Sequence, residues 1–410
     1  MGENVSNQKI IVIGGGASGL VAAIAAKYSN ADVTILERNP KIAKKILATG
    51  NGRCNYTNVL ATEFNYNHPE FVKHALQILN PEATIQFFET LGIVSKVEEN
   101  GKTYPLSEQA SSFLDVFMYE LNRLKINLVC DTFVESITKK GNTFTIIDSN
   151  KNQYTADVVI LTTGGKVLPK SGSDGSGYGL AQSLGHTITH VFPSLTKLKL
   201  DYPYLKQLDG VKIPGRAELI YQNQSLQTET GDVLFTSYGI SGPTILQLSR
   251  KAIDLHLNHQ EVYIKVTLVN ELSKADVKKR IYQFSDKSIE MSLIGIINKK
   301  FIPVLLKEIG VLDSQTEISQ IPPKLIHKLV ELLFDWRFKV IGYKGYEDAQ
   351  VTAGGINIDE INPLTMESKL VKGLYMAGEV LDIDALCGGY NLQWAWSSGY
   401  LAGISASVGE

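Results

Sequence analysis

Three glycines and a carboxylate near the N-terminus carry the first readable chemistry. Gly14, Gly16 and Gly19 stand in the pattern G-x-G-x-x-G, and Glu37 follows 23 residues after Gly14. The first glycine permits a tight turn, the second lets the backbone approach a pyrophosphate, and the third lets a helix pack close to a strand. A helix opening here presents its positive end to phosphate, and Glu37 would accept from ribose hydroxyls. An isolated pattern of this kind is often only a flexible loop. Here the β-branched run Ile10 to Ile13 precedes it, an alanine-rich helical stretch follows, and a second apolar strand, Val33 to Leu36, ends on the acid. Strand, glycine turn, helix, strand and acid together predict a dinucleotide site.

Three further clusters narrow the dinucleotide to FAD. Lys41 to Asn58, KIAKKILATGNGRCNYTN, is rich in glycine and asparagine and carries Lys44, Lys45 and Arg53. Backbone donors and cations so soon after Glu37 suit a diphosphate and a ribityl chain, with a solvated basic loop as the alternative. A strand-like run, Val158 to Thr162, ends in Gly164-Gly165, and a glycine-serine loop leads on to a helix. Near the C-terminus Leu374 to Ala377 runs into Gly378-Glu379, and Gly388-Gly389-Tyr390-Asn391 opens another helix. The N-terminus of that helix suits the anionic edge of a reduced flavin.

These motifs resemble FAD enzymes of the succinate-dehydrogenase and fumarate-reductase type. They are more similar still to the bacterial flavoproteins that include aminoacetone oxidase and the ribosomal-RNA dihydrouridine synthases. The resemblance rests on KKILATGNGRCNYTN, LFTSYGISGP, TAGGI and AGEVLDIDALCGGYNLQWAWSSG, and it covers essentially the whole chain. It implies non-covalent FAD contacts at Gly14, Gly16, Ala17, Ser18, Gly19, Glu37, Arg38, Lys45, Gly50, Arg53, Cys54 and Asn55. Val134 would meet the adenine through backbone atoms, and Thr163, Gly164 and Gly165 would line the nucleotide. Gly378, Glu379, Gly389, Tyr390, Asn391, Leu392 and Gln393 would frame the flavin. The family usually reads Phe-Thr-His before its G-x-S-G-P, whereas Ser237 follows Phe235-Thr236 here, which removes that histidine from any proton transfer. No second G-x-G-x-x-G occurs, so NAD(P)H, the expected reductant, would have no Rossmann domain of its own.

The elements that must hold these motifs are spread along 410 residues. The FAD motifs are split by a long insert, giving an α/β fold with a discontinuous Rossmann-like FAD-binding domain, residues 1–193 and 345–410. Short alternating segments between turn residues predict a β-barrel-like insert over 194–270. The 3.6-residue pattern of DVKKRIYQF, IGIINKKFIPVLLKEIG and PKLIHKLVELLFDW predicts a small helical domain over 271–344. Phe64 to His68 and the helix from Pro69 to Leu79 read as a surface insertion without chemistry. His186 and His190 read as structural or surface residues. The net charge of −2 gives no global pull toward nucleic acid. Residues 271–344, however, hold 13 Lys/Arg against 9 Asp/Glu, either a solvated helical face or a basic cap for a polyanionic substrate such as ribosomal RNA. No apolar run is long enough to span a membrane, and three cysteines with no metal spacing fit a reducing cytoplasm. Met1 to Ser6 formally fits a myristoylation pattern, which so short a motif meets by chance.

Titratable groups in the flavin-side motifs are few: Cys54, Cys387, Tyr390, Glu379 and Asp382. Cys387, just before the Gly-Gly turn, is the candidate catalytic residue as a proton donor to carbon; its alternative is a small buried hydrophobe. No Ser-His-Asp order, H-E-x-x-H or C-x-x-C supports a hydrolase or a metalloenzyme. An FAD-dependent oxidoreductase is expected, and its substrate stays open. NAD(P)H-derived electrons could saturate the C5–C6 bond of uracil in large-subunit ribosomal RNA. An oxidase of a small amine such as aminoacetone, making H2O2, is the alternative, and a flavin-binding sensor without turnover is the third reading. Gly16→Val should lower FAD loading by at least about tenfold, the equivalent of ~1.4 kcal/mol, because the side chain would fill the space of the pyrophosphate. Flavin content and circular dichroism on one sample check this. A loading loss that only tracks thermal destabilisation would contradict it.

Overall fold

A computed structural model describes residues 8–408, so the N-terminal myristoylation-like pattern lies outside the described residues. Contacts divide the chain into two compact units, Met1–Pro193 with Gln350–Glu410, and Ser194–Ala349.

The first unit is built on five parallel strands. β1 (Lys9–Ile13) lies centrally between β2 (Asp32–Leu36) and Val158–Leu161. Leu374–Met376 extends the sheet on one side and Asn127–Val129 on the other. Strands covered on both faces read as continuous β-branched runs, and Ile10, Val12 and Ile160 are fully buried. All the strand ends that the sequence marked with glycine, at Ile13, Leu161 and Met376, fall side by side, because Ile13 pairs with Leu161 and Leu161 with Met376.

Helix α1 (Ala17–Tyr28) follows the glycine turn, and its small residues let a second helix, Tyr390–Ser407, lie against its backbone. A Cβ built on Gly399 would sit 2.3 Å from the Ser18 carbonyl oxygen, and one on Gly403 2.3 Å from that of Ala22. The two glycines, four residues apart, therefore set the separation of the two helices. Two three-stranded antiparallel sheets belong to the same unit. One has Lys102–Pro105 between Thr57–Asn58 and Ser95–Val97; the other is Val134–Lys140, Thr143–Asp148 and Gln153–Ala156. The segment from Phe64 to His68 is not a bare surface insertion: Tyr66 is buried and donates to the Tyr390 carbonyl at 2.9 Å, and Asn67 donates to Asp382.

The second unit holds a closed six-stranded barrel of Leu198–Asp201, Gly239–Ser241, Gln224–Thr236, Lys212–Tyr221, Val262–Thr267 and Trp336–Tyr343. Two features depart from the expected division into a β stretch and a helical stretch. The closing strand Trp336–Tyr343 comes from the segment read as helical, because the strong periodicity of Pro323–Phe334 masks the short alternation of buried Trp336, Phe338 and Val340. A fifteen-residue helix, Pro243–Leu257, lies inside the segment read as β; its buried Ile245, Leu248, Ala252 and Ile253 recur at helical spacing. Between them, helices Lys274–Gln283, Ile289–Leu293, Ile302–Ile309 and Pro323–Phe334 form the helical part.

Gly403→Val should destabilise the first unit by about 1–3 kcal/mol, the cost of overpacking a fixed contact. Exposed Gly179, with no atom near a built Cβ, is the control: Gly179→Ala should be neutral or slightly stabilising. Denaturant unfolding of both variants checks the pair, and equal stabilities would contradict the close-packing account.

Candidate cofactor site

The aligned strand ends open into a cavity of about 1230 Å³, counting the open space at its mouth. Its floor is the glycine turn. Gly14 has φ +107°, and a Cβ there would lie 2.6 Å from the Thr162 carbonyl oxygen; a Cβ on Gly19 would lie 2.0 Å from that of Gly14. A Cβ on Gly16 would meet no atom within 4 Å. Gly14 and Gly19 are thus small for packing, whereas Gly16 is small beside open space. The first N–H groups of α1 have no intrahelical acceptor and carry the positive end of the helix dipole, which is an anion site.

Glu37 is buried at the end of β2 and already serves the loop: one oxygen accepts from Gly15 N at 2.7 Å, the other from Asn39 N and Nδ2 at 2.8 and 2.7 Å. A carboxylate offers about four acceptor positions, so capacity remains for a ligand hydroxyl. Arg38 pairs with Asp174 at 2.6 Å and lies 4.7 Å from the centre of the Phe133 ring. Burial works to raise the Asp174 pKa, but the Ser176 and Arg38 hydrogen bonds hold it below the usual carboxylate range. Phe133 and Val134 line the same end of the cavity. At the other end Lys45 Nζ contacts Glu379 Oε2 at 2.5 Å, and Glu379 also accepts from Thr352 N at 2.9 Å.

Gly14, Gly16, Ala17, Ser18, Glu37, Arg38, Lys45, Val134, Thr163, Gly164, Glu379, Asn391 and Leu392 line this cavity. The remaining sequence candidates lie outside its lining, each with a local reason. Gly19, Gly165, Gly378 and Gly389 are contact points, where a Cβ would meet Gly14, Thr352, Ser18 and Thr57 respectively at 2.4 Å or less. Gly50 turns with φ +57° against Asn55, and Asn55 accepts from Thr103 N. Arg53 pairs with Glu98 at 3.3 Å and covers the Tyr104 ring. Cys54 is fully buried, and burial pushes its thiol up to about 12. Tyr390 is half-buried, and its phenol is raised by burial. The Gln393 side chain is spent inside the protein: Oε1 accepts from Thr57, and Nε2 reaches Leu79, Thr84 and Ser397. It therefore fixes the helix start and offers no side-chain atom to a flavin. Cys387 Sγ lies 3.4 Å from Oε1 of Gln350, a residue of the cavity wall; burial raises this thiol and Lys102 opposes it.

Phe133 and Asn39 carry no motif of their own, whereas Thr352 opens TAGGI and Trp394 lies in AGEVLDIDALCGGYNLQWAWSSG without being distinguished there as a site residue. Trp394 Nε1 donates to the Gly378 carbonyl at 3.2 Å, and a Trp within a glycine-opened helix was the available signal. His186 is buried between Glu360, at 2.9 Å, and Ser368, at 2.8 Å. This Ser-His-Glu line is a staple: Ser368 Oγ already accepts from Leu370 N and Val371 N, which leaves no free nucleophile.

The residues present fit FAD. Gly16 adjoins open space, and Thr163 Oγ1 is buried without a partner among the described residues. No group of His, Cys, Asp and Glu that could hold a metal ion occurs among them.

The family model described as HI0933-like protein Rossmann domain matches residues 8–405. The chain belongs to this family of FAD-dependent oxidoreductases. It is 39% identical to a protein of Clostridium scindens named 3-dehydro-bile acid delta(4,6)-reductase, over 97% of this chain and 99% of that one. It is 30% identical to a protein of Haemophilus influenzae named ribosomal RNA dihydrouridine synthase, over 97% and 98%. Among solved structures, an open-form flavocytochrome c3 fumarate reductase aligns with TM-score 0.47 at 17% identity, covering 98% of this chain and 78% of that one.

Glu37→Ala should weaken FAD binding by about 1–3 kcal/mol, the loss of a charged acceptor that also orders the glycine loop. Titration of FAD into apoprotein measures it. Parental affinity would show that Glu37 does not serve the ribose.

Proposed function

We propose that this protein reduces a carbon–carbon double bond conjugated to a carbonyl in a small hydrophobic molecule, with NAD(P)H as electron source. The observation that supports this reading most is full-length identity of 39% to a protein named as a reductase of a Δ4,6-unsaturated, 3-dehydro bile acid. The relatives named for ribosomal RNA are compatible with the same bond chemistry, since a uracil also places its double bond beside a carbonyl. Bound FAD supplies two-electron hydride chemistry. The chain's part is to bind and orient: the first turn of α1 for the diphosphate, Glu37 for the ribose, Arg38 with Phe133 and Val134 for the adenine end. Lys45 and Glu379 are a charge pair fixed at the far end, and Val351, Ile383, Leu392 and Trp394 form a wall that sheds water. The three cysteines are unbridged, which suits a reducing cytoplasm.

Ribosomal RNA is the second substrate reading, favoured by Lys278, Lys279 and Arg280, all exposed on helix Lys274–Gln283. Neutralising that run would flatten the log–log salt dependence of RNA binding by about 0.7–0.9 for each phosphate no longer engaged, and would leave reduction of a small enone unchanged.

The deciding experiment reduces the yellow holoenzyme anaerobically with NADPH and then adds a conjugated steroid dienone, 23S rRNA or aminoacetone. The dienone should restore the yellow colour and yield a product two hydrogens richer. Re-oxidation by rRNA alone would move the substrate to RNA. H2O2 formed from aminoacetone at an enzymatic rate, with an inert dienone, would make the protein an oxidase.

A further inference from the structure

Outside the cavity, the first unit holds a compact polar cluster around the Cys387-Gly388-Gly389 turn. A Cβ built on Gly388, where φ is +131°, would lie 3.4 Å from Tyr390 Cε2, 3.5 Å from Lys102 Cε and 3.8 Å from Asn58 Nδ2. The Lys102 stem thus crosses directly over this glycine. Asn58 Nδ2 donates to the Gly388 carbonyl at 3.0 Å and so fixes the turn beneath the lysine. Lys102 is half-buried on strand Lys102–Pro105, and its ammonium has no hydrogen-bond or carboxylate partner among the described residues. Cations elsewhere in this unit do have carboxylate partners: Arg53 pairs with Glu98, Lys96 with Glu108 and Lys45 with Glu379. A lysine without a counter-charge is available to an anionic or carbonyl oxygen.

The turn beneath this cation adjoins the cofactor cavity on two sides. Cys387 reaches Gln350, a cavity-wall residue, and Tyr390 precedes Asn391 and Leu392, which also line the cavity. A donor beside that wall is where the polar end of a substrate would need one.

We propose that Lys102 is the group that holds the carbonyl oxygen of the substrate and meets the negative charge that develops there. The inference rests on the enone-reductase reading. A hydride equivalent, drawn from NAD(P)H, forms the new C–H bond at the β-carbon. The π electrons of the double bond shift toward the carbonyl, whose oxygen becomes an enolate anion paired with the Lys102 ammonium. The α-carbon then takes a proton from water, the carbonyl re-forms, and the lysine keeps its charge throughout. A single preorganised donor at such an oxyanion contributes a rate factor of about 100-fold or more.

Lys102→Met and Lys102→Arg in the full-length holoenzyme test this with four readouts. Flavin content and the rate of anaerobic reduction by NADPH should match the parent in both variants. Re-oxidation by a conjugated steroid dienone should fall by about 100-fold in Lys102→Met and recover largely in Lys102→Arg. Calorimetric affinity for the saturated ketone should fall several-fold in Lys102→Met alone. Unchanged re-oxidation in Lys102→Met overturns the inference and leaves the reductase reading standing. A loss confined to the NADPH step also overturns it, and places the lysine on the nicotinamide phosphate. A parent enzyme that leaves the dienone untouched defeats the reductase reading, and the inference falls with it.

Discussion

Backbone meets backbone around α1, and the whole cofactor site hangs on that close approach. Gly19 packs on Gly14, Gly399 on Ser18 and Gly403 on Ala22, each at a distance that leaves no room for a methyl group. α1 is thereby clamped between the sheet and the C-terminal helix, and its free N–H groups are held at the mouth of the aligned strand ends. A preorganised anion site loses no loop entropy when a diphosphate enters it. The same clamp carries the second half of the site, because Gly378, Asn391 and Trp394 are positioned by the C-terminal helix that rests on α1.

Charge is distributed along the cavity to match a long, polar ligand. The acid at the end of β2 is buried and saturated on one side by backbone and Asn39 donors, which hold it in one orientation. The Lys45–Glu379 pair is partly buried at 24% and 19% side-chain exposure, so its members are screened less than surface ions and stay in register. Neither thiol offers a reactive thiolate: burial raises Cys54 and Cys387 alike. A raised pKa keeps the Cys387 thiol protonated beside the cavity wall, and Lys102 is a half-buried cation over the same turn with no ion pair among the described residues.

The sequence made the parallel sheet and the glycine turn legible because each glycine there answers a separate steric demand. It also marked Glu37, Lys45 and Glu379, whose types and positions match their surroundings. It gave Gln393 no internal partners, because a glutamine at the start of a helix reads the same whether its side chain faces a ligand or bonds to four residues inside the protein. Trp336–Tyr343 and Pro243–Leu257 escaped for a different reason: short periodic runs beside stronger patterns of the other period take on the neighbour's assignment. Phe133 was unreadable, since its use lies in a cation over its ring and in nothing nearby in sequence. Lys102 was equally silent, as being unpaired is a property of three dimensions.

The reaction proposed for this protein delivers hydride, drawn from a nicotinamide, to the β-carbon of an enone and a solvent proton to its α-carbon. Anaerobic turnover of a conjugated steroid dienone with limiting NADPH in deuterated water, followed by mass spectrometry and NMR of the product, measures both halves at once. One double bond saturated per NADPH consumed, with deuterium on the carbon α to the carbonyl, is the expected result. A dienone recovered unreduced while NADPH is consumed would contradict it.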